Sequence, residues 1–260
     1  MIDIHSHILP GVDDGANHVE AAVLIAQKAV EDGIRTMIAT PHHLNGHYDN
    51  PASAVNDAVL ELGAVLVERE VPLKVLAGQE IRVTGSLLNE WDSQRLLTLS
   101  ESRYILLELP AHCIPEYLDD ILHELSLLKL VPIIAHPERN QEILRYPERL
   151  QHLLTQGALS QVTSHSITGL FGKKIQKTAL DLCRSGSIHF IASDVHKVDL
   201  RPNQLHQAYN YISTHLGTQY TSYYQHNAEC VVHNEVIEEM TAPATVQREG
   251  KWSRIWKFSK

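Results

Sequence analysis

Histidine and carboxylate residues recur in short motifs along this chain of 260 residues, and such side chains are common ligands of metal ions. The motifs are Asp3-Ile4-His5-Ser6-His7, Thr40-Pro41-His42, Gly78-Gln79-Glu80, Glu108, His136-Pro137-Glu138-Arg139 and Ser193-Asp194-Val195-His196. Imidazole and carboxylate ligands together suit Zn, Mn or Fe, and they need no thiolate beside them. The residue types therefore predict a metal centre built from nitrogen and oxygen donors.

Two of these motifs have a spacing that turns side chains to the same side of the backbone. In the extended His5-Ser6-His7 segment, residues two apart point the same way, so both imidazoles can bind one ion. Asp194 and His196 have the same spacing. A carboxylate such as Glu80 can bridge two ions, and a centre of several ions can hold a hydroxide and polarise a phosphoryl oxygen. The spacing thus predicts a multinuclear hydrolase.

Three further residues support this chemistry. Glu108 lies inside Leu106-Leu107-Glu108-Leu109, where a carboxylate destabilises the fold by several kcal/mol unless it is paired or metal-bound. Arg139 and Arg201 each follow a ligand motif closely, and a guanidinium group binds phosphate through two N–H donors. A surface salt bridge is the alternative for either arginine alone. Together these residues predict a phosphoryl substrate.

Seven short apolar runs alternate with longer amphipathic stretches. The predicted strands are residues 2–4, 36–39, 73–77, 104–109, 131–135, 159–163 and 188–192. The predicted helices are residues 17–32, 51–70, 115–129, 147–155, 173–185 and 202–215, with a less regular connection at 86–102. Apolar strands that alternate with helices are typical of a parallel sheet. We therefore predict an α/β fold that forms a distorted TIM-like (β/α)7 barrel, with an open doubly wound sheet as the alternative.

Such a barrel would bring the candidate ligands together. The carboxyl ends of parallel strands face one side, so ligand motifs more than 190 positions apart in the chain would meet there. His43 and His47 lie in a loop rich in Asn, Gly and Asp, and we expect both at the surface. No linker or low-complexity segment divides the chain. We therefore assign residues 1–246 to one domain that holds the whole site.

Composition limits the class of protein. With 43% hydrophobic residues the chain can form a sizeable core, and its apolar runs are far shorter than the roughly 20 residues of a membrane span. The first residues lack the basic and apolar segments of a secretory signal, which together with scattered cysteines favours a reduced, cytoplasmic protein. We expect Cys113, Cys183 and Cys230 to fill the core. A net charge of -9 argues against general affinity for nucleic acid.

Residues 247–260 form a tail of different character. Five basic residues stand there against the single acid Glu249, and Trp252 and Trp256 are four positions apart. Such a segment could bind an anionic membrane surface peripherally, or an acidic partner. Packing against the acidic body of the same chain is the alternative.

The ligand motifs also carry a resemblance to a known family. They are extended by Ile8-Leu9-Pro10 with Asp13-Asp14-Gly15 and by Ile134-Ala135, and they occur in order over about residues 1–215. This ordered set resembles the PHP (polymerase and histidinol phosphatase) superfamily, specifically the manganese-dependent protein tyrosine phosphatases of capsule and exopolysaccharide operons. The segment Thr163-Ser164-His165-Ser166-Ile167 departs from the small-residue stretch expected at that rim of the pocket.

The resemblance implies a trinuclear metal site on a barrel-like fold of seven strands. The ligands that it implies for the first ion are His5, His7, Glu80 and Asp194. Those that it implies for the second ion are Glu80, Glu108 and His136. Those that it implies for the third are His42, His196 and Asp14, with Asp13 as the alternative to Asp14. It further implies two or three ions per chain, Mn²⁺ first, with Fe or Zn as alternatives.

The same resemblance implies a reaction and a substrate. Arg139 and Arg201 would bind the phosphate, and a metal-bound hydroxide would attack phosphorus directly, without a phosphoenzyme. The substrate would be a phosphotyrosine protein, in particular a bacterial tyrosine kinase that controls capsule or exopolysaccharide synthesis. The residues themselves exclude the cysteine-based route, which needs an Arg six positions after a Cys. The residues found at that distance are Asp119, His189 and Val236.

Two other functions stay open. A PHP-type phosphatase of a small monoester such as histidinol phosphate would use the same ligands, so the motifs do not exclude it. A non-catalytic regulatory or metal-binding protein is the second alternative. The complete set of ligands and arginines argues against it, because a decayed site should have lost a member.

Overall fold

The computed structural model describes residues 1–238 and 240, and the predicted tail of residues 247–260 lies outside them. The strands of the described part are β1 (Ile2–Ser6), β2 (Thr36–Ala39), β3 (His42–His43), β4 (Lys74–Ala77), β5 (Glu80–Arg82), β6 (Tyr104–Glu108), β7 (Val131–Ala135), β8 (Leu159–Thr163) and β9 (Phe190–Ala192). Its α-helices are α1 (Val19–Glu31), α2 (Ala52–Glu68), α3 (Leu87–Asp92), α4 (Leu118–Leu127), α5 (Gln141–Arg145), α6 (Glu148–Thr155), α7 (Ser164–Thr168), α8 (Lys173–Arg184), α9 (Leu205–His215) and α10 (Thr218–His233). Two short 3-10 turns are Leu99–Glu101 and Pro137–Arg139.

The strands pair in parallel throughout the described residues, as their alternation with helices predicted. One sheet has the order β1-β2-β4, and the other has the order β3-β5-β6-β7-β8-β9. The predicted strands 36–39 and 73–77 are each followed by a second short strand, β3 or β5, that had not been predicted. Pro41 has no N–H to donate to a ladder, and a Cβ at Gly78 would lie 2.9 Å from side-chain carbons of Ile38 and Leu99. Two strand breaks therefore account for the nine strands of the described residues in place of the seven predicted.

β1 lies beside the segment that follows β9. Ser6 and Val195 form an isolated parallel bridge. The N–H of His7 donates to the carbonyl of Val195 at 2.9 Å, and the N–H of Asp194 donates to the carbonyl of His5 at 2.9 Å. The described residues therefore form a single α/β domain of parallel strands, in which β1 of one sheet and the segment after β9 of the other are hydrogen-bonded neighbours.

The six predicted helices are present as α1, α2, α4, α6, α8 and α9, with ends that differ by up to three residues. α3 lies in the connection at 86–102 that the sequence marked as irregular. α5, α7 and α10 had not been predicted. α10 buries Tyr224 and Asn227 together with Ala228, Cys230 and Val231, and this mixture of polar and apolar residues obscures the helical period.

The amino ends of the strands are covered by α10. The buried cluster on this side includes Ile4, Ile38, Leu106, Ile133, Phe190 and, from α10, Ala228 and Val231. The hydroxyl of Tyr104 at the start of β6 donates to the carbonyl of Glu235 at 2.6 Å. Asn227 donates to the carbonyl of His189, just before β9, at 2.9 Å. The carboxyl ends of the strands are therefore the open side of the domain.

Two of the three cysteines are buried, and none of the described helices could span a membrane. Cys183 and Cys230 are buried as expected, but the expected core position of Cys113 is wrong, because this residue is exposed in the loop between β6 and α4. None of the helices within residues 1–238 combines the length and the apolar character that a membrane crossing requires.

Protonation of His189 should destabilise the fold. The N–H of Ser160 donates to His189 Nδ1 at 3.2 Å, and burial lowers the pKa of His189 from 6.5 to about 4. Between these values the folded chain binds fewer protons here than the unfolded chain. The free energy of unfolding should therefore fall as the pH drops through this window, by at most about 3 kcal/mol. Urea unfolding of the wild type and His189→Gln from pH 7 to pH 4 measures this contribution, and an equal loss of stability in both would contradict it.

Candidate metal centre

A cavity of about 230 Å³ opens at the carboxyl ends of the strands. The predicted site residues that line it are Asp14, His42, Glu80, Glu108, His136, Arg139, Asp194, His196 and Arg201. His5 and His7 are buried beneath it, against Glu80 and Asp194. All eleven predicted site residues therefore lie in one place, although they come from both ends of the described chain.

The innermost donor atoms lie close enough together to share one metal ion. His5 Nε2 and His7 Nε2 are 3.3 Å apart. Each of these nitrogens lies 3.3 to 3.4 Å from Glu80 Oε2 and 3.4 to 3.5 Å from Asp194 Oδ1. Two donor atoms 3.3 to 3.5 Å apart can both lie about 2.0–2.1 Å from one ion at a tetrahedral angle, and this is the length of a zinc–imidazole bond. Glu80 Oε2 is buried and forms no hydrogen bond. The donor set thus fits a metal ion.

Hydrogen bonds on the outer side of the imidazoles turn their Nε2 atoms inward. Gln161 Oε1 accepts from His5 Nδ1 at 2.9 Å, and Asp13 Oδ2 accepts from His7 Nδ1 at 2.7 Å. His196 Nδ1 lies 3.0 Å from the carbonyl oxygen of Asp194. A donor at Nδ1 fixes the tautomer in which Nε2 keeps a lone pair for a metal. The sequence analysis did not single out Gln161, although a polar residue inside the predicted strand 159–163 was a usable signal.

Asp13 and Asp14 have different surroundings. Asp13 is bound to His7 and also accepts from the N–H groups of His42 at 3.2 Å and Gly15 at 2.9 Å. Asp14 is half exposed, and its Oδ1 lies 3.6 Å from His42 Nε2 and 3.4 Å from His196 Nε2. Asp13 therefore orients the loop and one imidazole, whereas Asp14 faces the ligand nitrogens.

A second group of donors surrounds the other face of Glu80. His136 Nε2 lies 2.6 Å from Glu80 Oε1, and His42 Nδ1 lies 2.9 Å from Glu80 Oε2. Glu108 Oε2 lies 3.7 Å from His42 Nδ1, so the geometry groups Glu108 with Glu80 and His42, whereas the resemblance implied His136 in that group. Burial and the nearby Arg139 lower the pKa of His136 to about 4, so its imidazole is neutral and has a lone pair at neutral pH.

Charge balance keeps the two central carboxylates ionised. Burial alone would raise the pKa of Glu80, yet the facing imidazoles of His5 and His42 hold it well below its usual range. Burial acts against Asp194 too, and the guanidinium groups of Arg139 and Arg201 hold the pKa of that carboxyl well below its usual range. Glu80 and Asp194 therefore both offer negatively charged oxygens to a metal ion.

The two arginines converge on one oxygen beside the ligands. Arg139 Nη2 lies 2.9 Å from Asp194 Oδ2, and Arg201 Nη2 donates to the same oxygen. Arg201 Nη1 also lies 3.1 Å from His196 Nε2. The Arg139 and Arg201 side chains are 26% and 23% exposed, so both reach solvent at the wall of the cavity. Their N–H groups are placed to contact an anion bound next to the donors.

The segment that departs from the resembling family lies against the arginine motif. Residues 163–167 start with the end of β8 and continue into α7. Glu138 Oε1 accepts from the N–H of Thr163 at 3.0 Å and from the hydroxyl of Ser166 at 2.6 Å. His165 Nε2 donates to the carbonyl of Pro202 at 2.6 Å, directly after Arg201. This segment therefore ties together the two chain segments that carry the arginines.

The expected surface position of His43 is wrong. His43 follows His42 in β3, so its side chain points to the opposite face, where it is fully buried. Its Nδ1 accepts from the N–H of Asn50 at 3.1 Å and lies 3.3 Å from Asp49. His47 is exposed, as expected.

Comparisons with known proteins support the same type of site. Residues 1–233 match the family described as capsular polysaccharide synthesis, CpsB/CapC. The tyrosine-protein phosphatase YwqE of Bacillus subtilis (strain 168) is 42% identical over 237 residues, which are 91% of this chain and 93% of YwqE. The tyrosine-protein phosphatase CpsB of Streptococcus pneumoniae is 30% identical over 224 residues, 84% of this chain and 92% of CpsB. One chain from the crystal structures of YwqE and CpsB, described as unique metal-dependent tyrosine phosphatases, has a TM-score of 0.89 at 42% identity, covering 92% of this chain and 96% of that chain.

Substitution of Gly15 should loosen the metal centre. A Cβ at Gly15 would overlap the carbonyl oxygen of His7 and lie 2.6 Å from the His7 Cβ. Gly15→Ala should therefore shift the loop that holds Asp13 against His7, and lower the affinity for added Mn²⁺ by about 10- to 100-fold. Equilibrium dialysis against Mn²⁺ measures the change. Gly85→Ala is the control, since a Cβ there meets nothing within 4 Å. Equal Mn²⁺ affinity in the two variants would show that the loop at Gly15 does not support the metal centre.

Proposed function

The chain belongs to the CpsB/CapC family of capsular polysaccharide synthesis, and we propose that it is a metal-dependent protein tyrosine phosphatase. One observation carries the proposal. Donor atoms close enough together to bind a metal ion lie in the same cavity as two guanidinium groups. Such donors suit Mn, Fe or Zn, and arginine forks suit a phosphoryl group. The names of YwqE and CpsB, both similar to this chain over most of their length, support the same reaction here.

The proposed ligands fall into three overlapping groups. The first group is His5, His7, Glu80 and Asp194. The second group is Glu80, Glu108 and His136, with His42 beside them. The third group is Asp14, His42 and His196. We expect two or three ions per chain, Mn²⁺ first, with Fe or Zn as alternatives. When bound, the ions supply a hydroxide at neutral pH and a Lewis acid for the phosphoryl oxygen.

The chain's own side chains bind and orient the phosphate. Arg139 and Arg201 present N–H donors at the cavity wall, so we assign them the oxygens of the phosphoryl group. Asp194 accepts from both arginines and thereby fixes their direction. The described residues that line the cavity include no cysteine, which argues against a phosphocysteine intermediate. The proposed reaction is direct attack on phosphorus without a phosphoenzyme.

We further propose that the domain is a barrel and that the protein is cytoplasmic. Counting β2 with β3, and β4 with β5, as broken strands gives seven strand positions. The hydrogen bonds between β1 and the segment after β9 support a distorted (β/α)7 barrel within a domain of residues 1–246. Three unpaired cysteines favour a reducing, cytoplasmic environment.

The proposed substrate is phosphotyrosine in a protein. Phosphotyrosine carries its phosphate on a rigid arm about 6–7 Å long, so its site needs ligands and arginines at the floor of a cavity open to the surface. The solvent exposure of both arginines is consistent with such an opening. The family's link to capsular polysaccharide synthesis supports a bacterial tyrosine kinase of that system as the substrate protein. Histidinol phosphate, a small monoester that a closed pocket could surround, is the competing substrate.

Removal of the central carboxylate should remove metal as well as activity. Glu80 faces every group of proposed ligands, so Glu80→Gln should lose at least one ion and most of the phosphatase activity. Each protein is first treated with a chelator and reloaded with Mn²⁺. Plasma mass spectrometry then measures the metal content, and hydrolysis of a phosphotyrosine peptide measures the activity. The exposed Glu116→Gln is the matched control. Full metal content and full activity in Glu80→Gln would show that this carboxylate is not a ligand.

Removal of either arginine should impair catalysis and spare the metals. A guanidinium group that binds two phosphoryl oxygens stabilises the transition state, so Arg139→Ala and Arg201→Ala should lower kcat/KM by about 10- to 100-fold. The exposed Arg184→Ala is the control, and metal content should stay constant in all three. Unchanged kcat/KM in either cavity variant would remove that arginine from the phosphate site.

The choice of substrate can be decided on the same preparation. We expect kcat/KM for a phosphotyrosine peptide to exceed that for a phosphoserine peptide and for histidinol phosphate. A preference for histidinol phosphate by about a hundredfold, or roughly 2.7 kcal/mol of transition-state discrimination, would establish the small-monoester alternative instead. No hydrolysis of any of the three by the Mn²⁺-loaded protein would favour the non-catalytic alternative.

A further inference from the structure

Phe171 occupies a tight turn between α7 and α8, next to the two arginines of the cavity. Gly169 and Gly172 bracket the turn with φ values of 90° and 91°, a region in which glycine avoids the strain of a Cβ. The N–H of Leu170 donates to the carbonyl of His165 at 2.9 Å, and the N–H of Gly172 donates to the carbonyl of Gly169 at 3.0 Å. The position of Phe171 is therefore fixed by backbone hydrogen bonds.

The ring of Phe171 contacts both arginines of the cavity. Arg139 Cζ lies 5.6 Å and Arg201 Cζ lies 5.7 Å from the ring centroid. The imidazole of His165 packs against the ring at 5.5 Å between centroids, and His165 is itself bound to the carbonyl of Pro202. One aromatic side chain thus joins three groups from separate parts of the chain.

Two positive charges meet at this point, beside the carboxylate of Asp194. Both guanidinium groups contact the same oxygen of Asp194, and two cations held this close together repel each other. The face of an aromatic ring attracts a guanidinium ion and gives it a flat surface to lie on. An aliphatic residue of similar size would fill the space without this attraction. The attraction between this side chain and the two guanidinium groups therefore depends on the aromatic ring of Phe171.

We propose that Phe171 is a positioning residue, whose ring holds Arg139 and Arg201 in the orientation that binds an oxyanion at the metal cavity. This inference rests on the proposed function only for the identity of that oxyanion, the phosphoryl group of the substrate. Phe171 itself touches the arginines rather than the reacting atoms, so it acts through them.

The test uses the full-length protein loaded with Mn²⁺ and inorganic phosphate as the probe. Phe171→Ala and Phe171→Leu should weaken phosphate binding, measured by titration calorimetry, by about three- to thirtyfold, whereas Phe171→Tyr should stay within about twofold of the wild type. Leu170→Ala is the control, since Leu170 is 49% exposed in the same turn. Bound metal should be equal in all variants. With a phosphotyrosine peptide, kcat/KM should fall in the same order.

Three results would overturn the proposal. Wild-type phosphate affinity in Phe171→Leu would show that bulk alone is sufficient. An equal loss in Leu170→Ala would show a general effect of the turn, and a loss of metal in parallel with phosphate would place the effect at the ligands. If phosphate binding follows the expected order while no phosphotyrosine is hydrolysed, the role of Phe171 stands and the proposed function fails.

Discussion

The carboxylate of Glu80 lies buried among imidazole rings, and the rest of the site depends on that arrangement. A carboxylate removed from water without partners would destabilise the fold by several kcal/mol. Its Oε2 lies within 3.4 Å of nitrogens of His5, His7 and His42, and its Oε1 lies 2.6 Å from His136. The rings come from β1 and the residue after it, from β3, and from the residue after β7. One buried charge therefore holds three distant parts of the chain in register.

The two strand breaks make this arrangement possible. After the breaks, β3 pairs with β5 so that His42 is directly opposite Glu80, and β5 pairs with β6 so that Arg82 is opposite Glu108. Arg82 binds that carboxylate at 2.8 Å, which balances part of its charge. Because side chains alternate along a strand, a shift of one residue would turn the ligands to the other face. His43 shows the alternation, since it follows a cavity residue and is buried on the opposite side.

Direction within the site is set by groups that do not line the cavity. Gln161 and Asp13 hold two imidazoles by their outer nitrogens, which leaves the inner nitrogens free for metal. Phe171 has the equivalent position behind the arginines. Ligand atoms held from behind need little rearrangement to bind a charged group, so the cavity is organised by its surroundings as much as by its lining.

The sequence by itself determined the types of the candidate ligands, their order and the alternation of strands and helices, because these depend on neighbouring residues along the chain. It also predicted that His5 and His7 point the same way, from their spacing alone. Only the tertiary structure decided that Gly78 ends a strand, that Gln161 holds an imidazole, and that Asp14 rather than Asp13 faces the Nε2 atoms of the candidate ligands His42 and His196. Each of these depends on atoms that distant segments bring within a few ångströms, and local pattern does not contain such contacts.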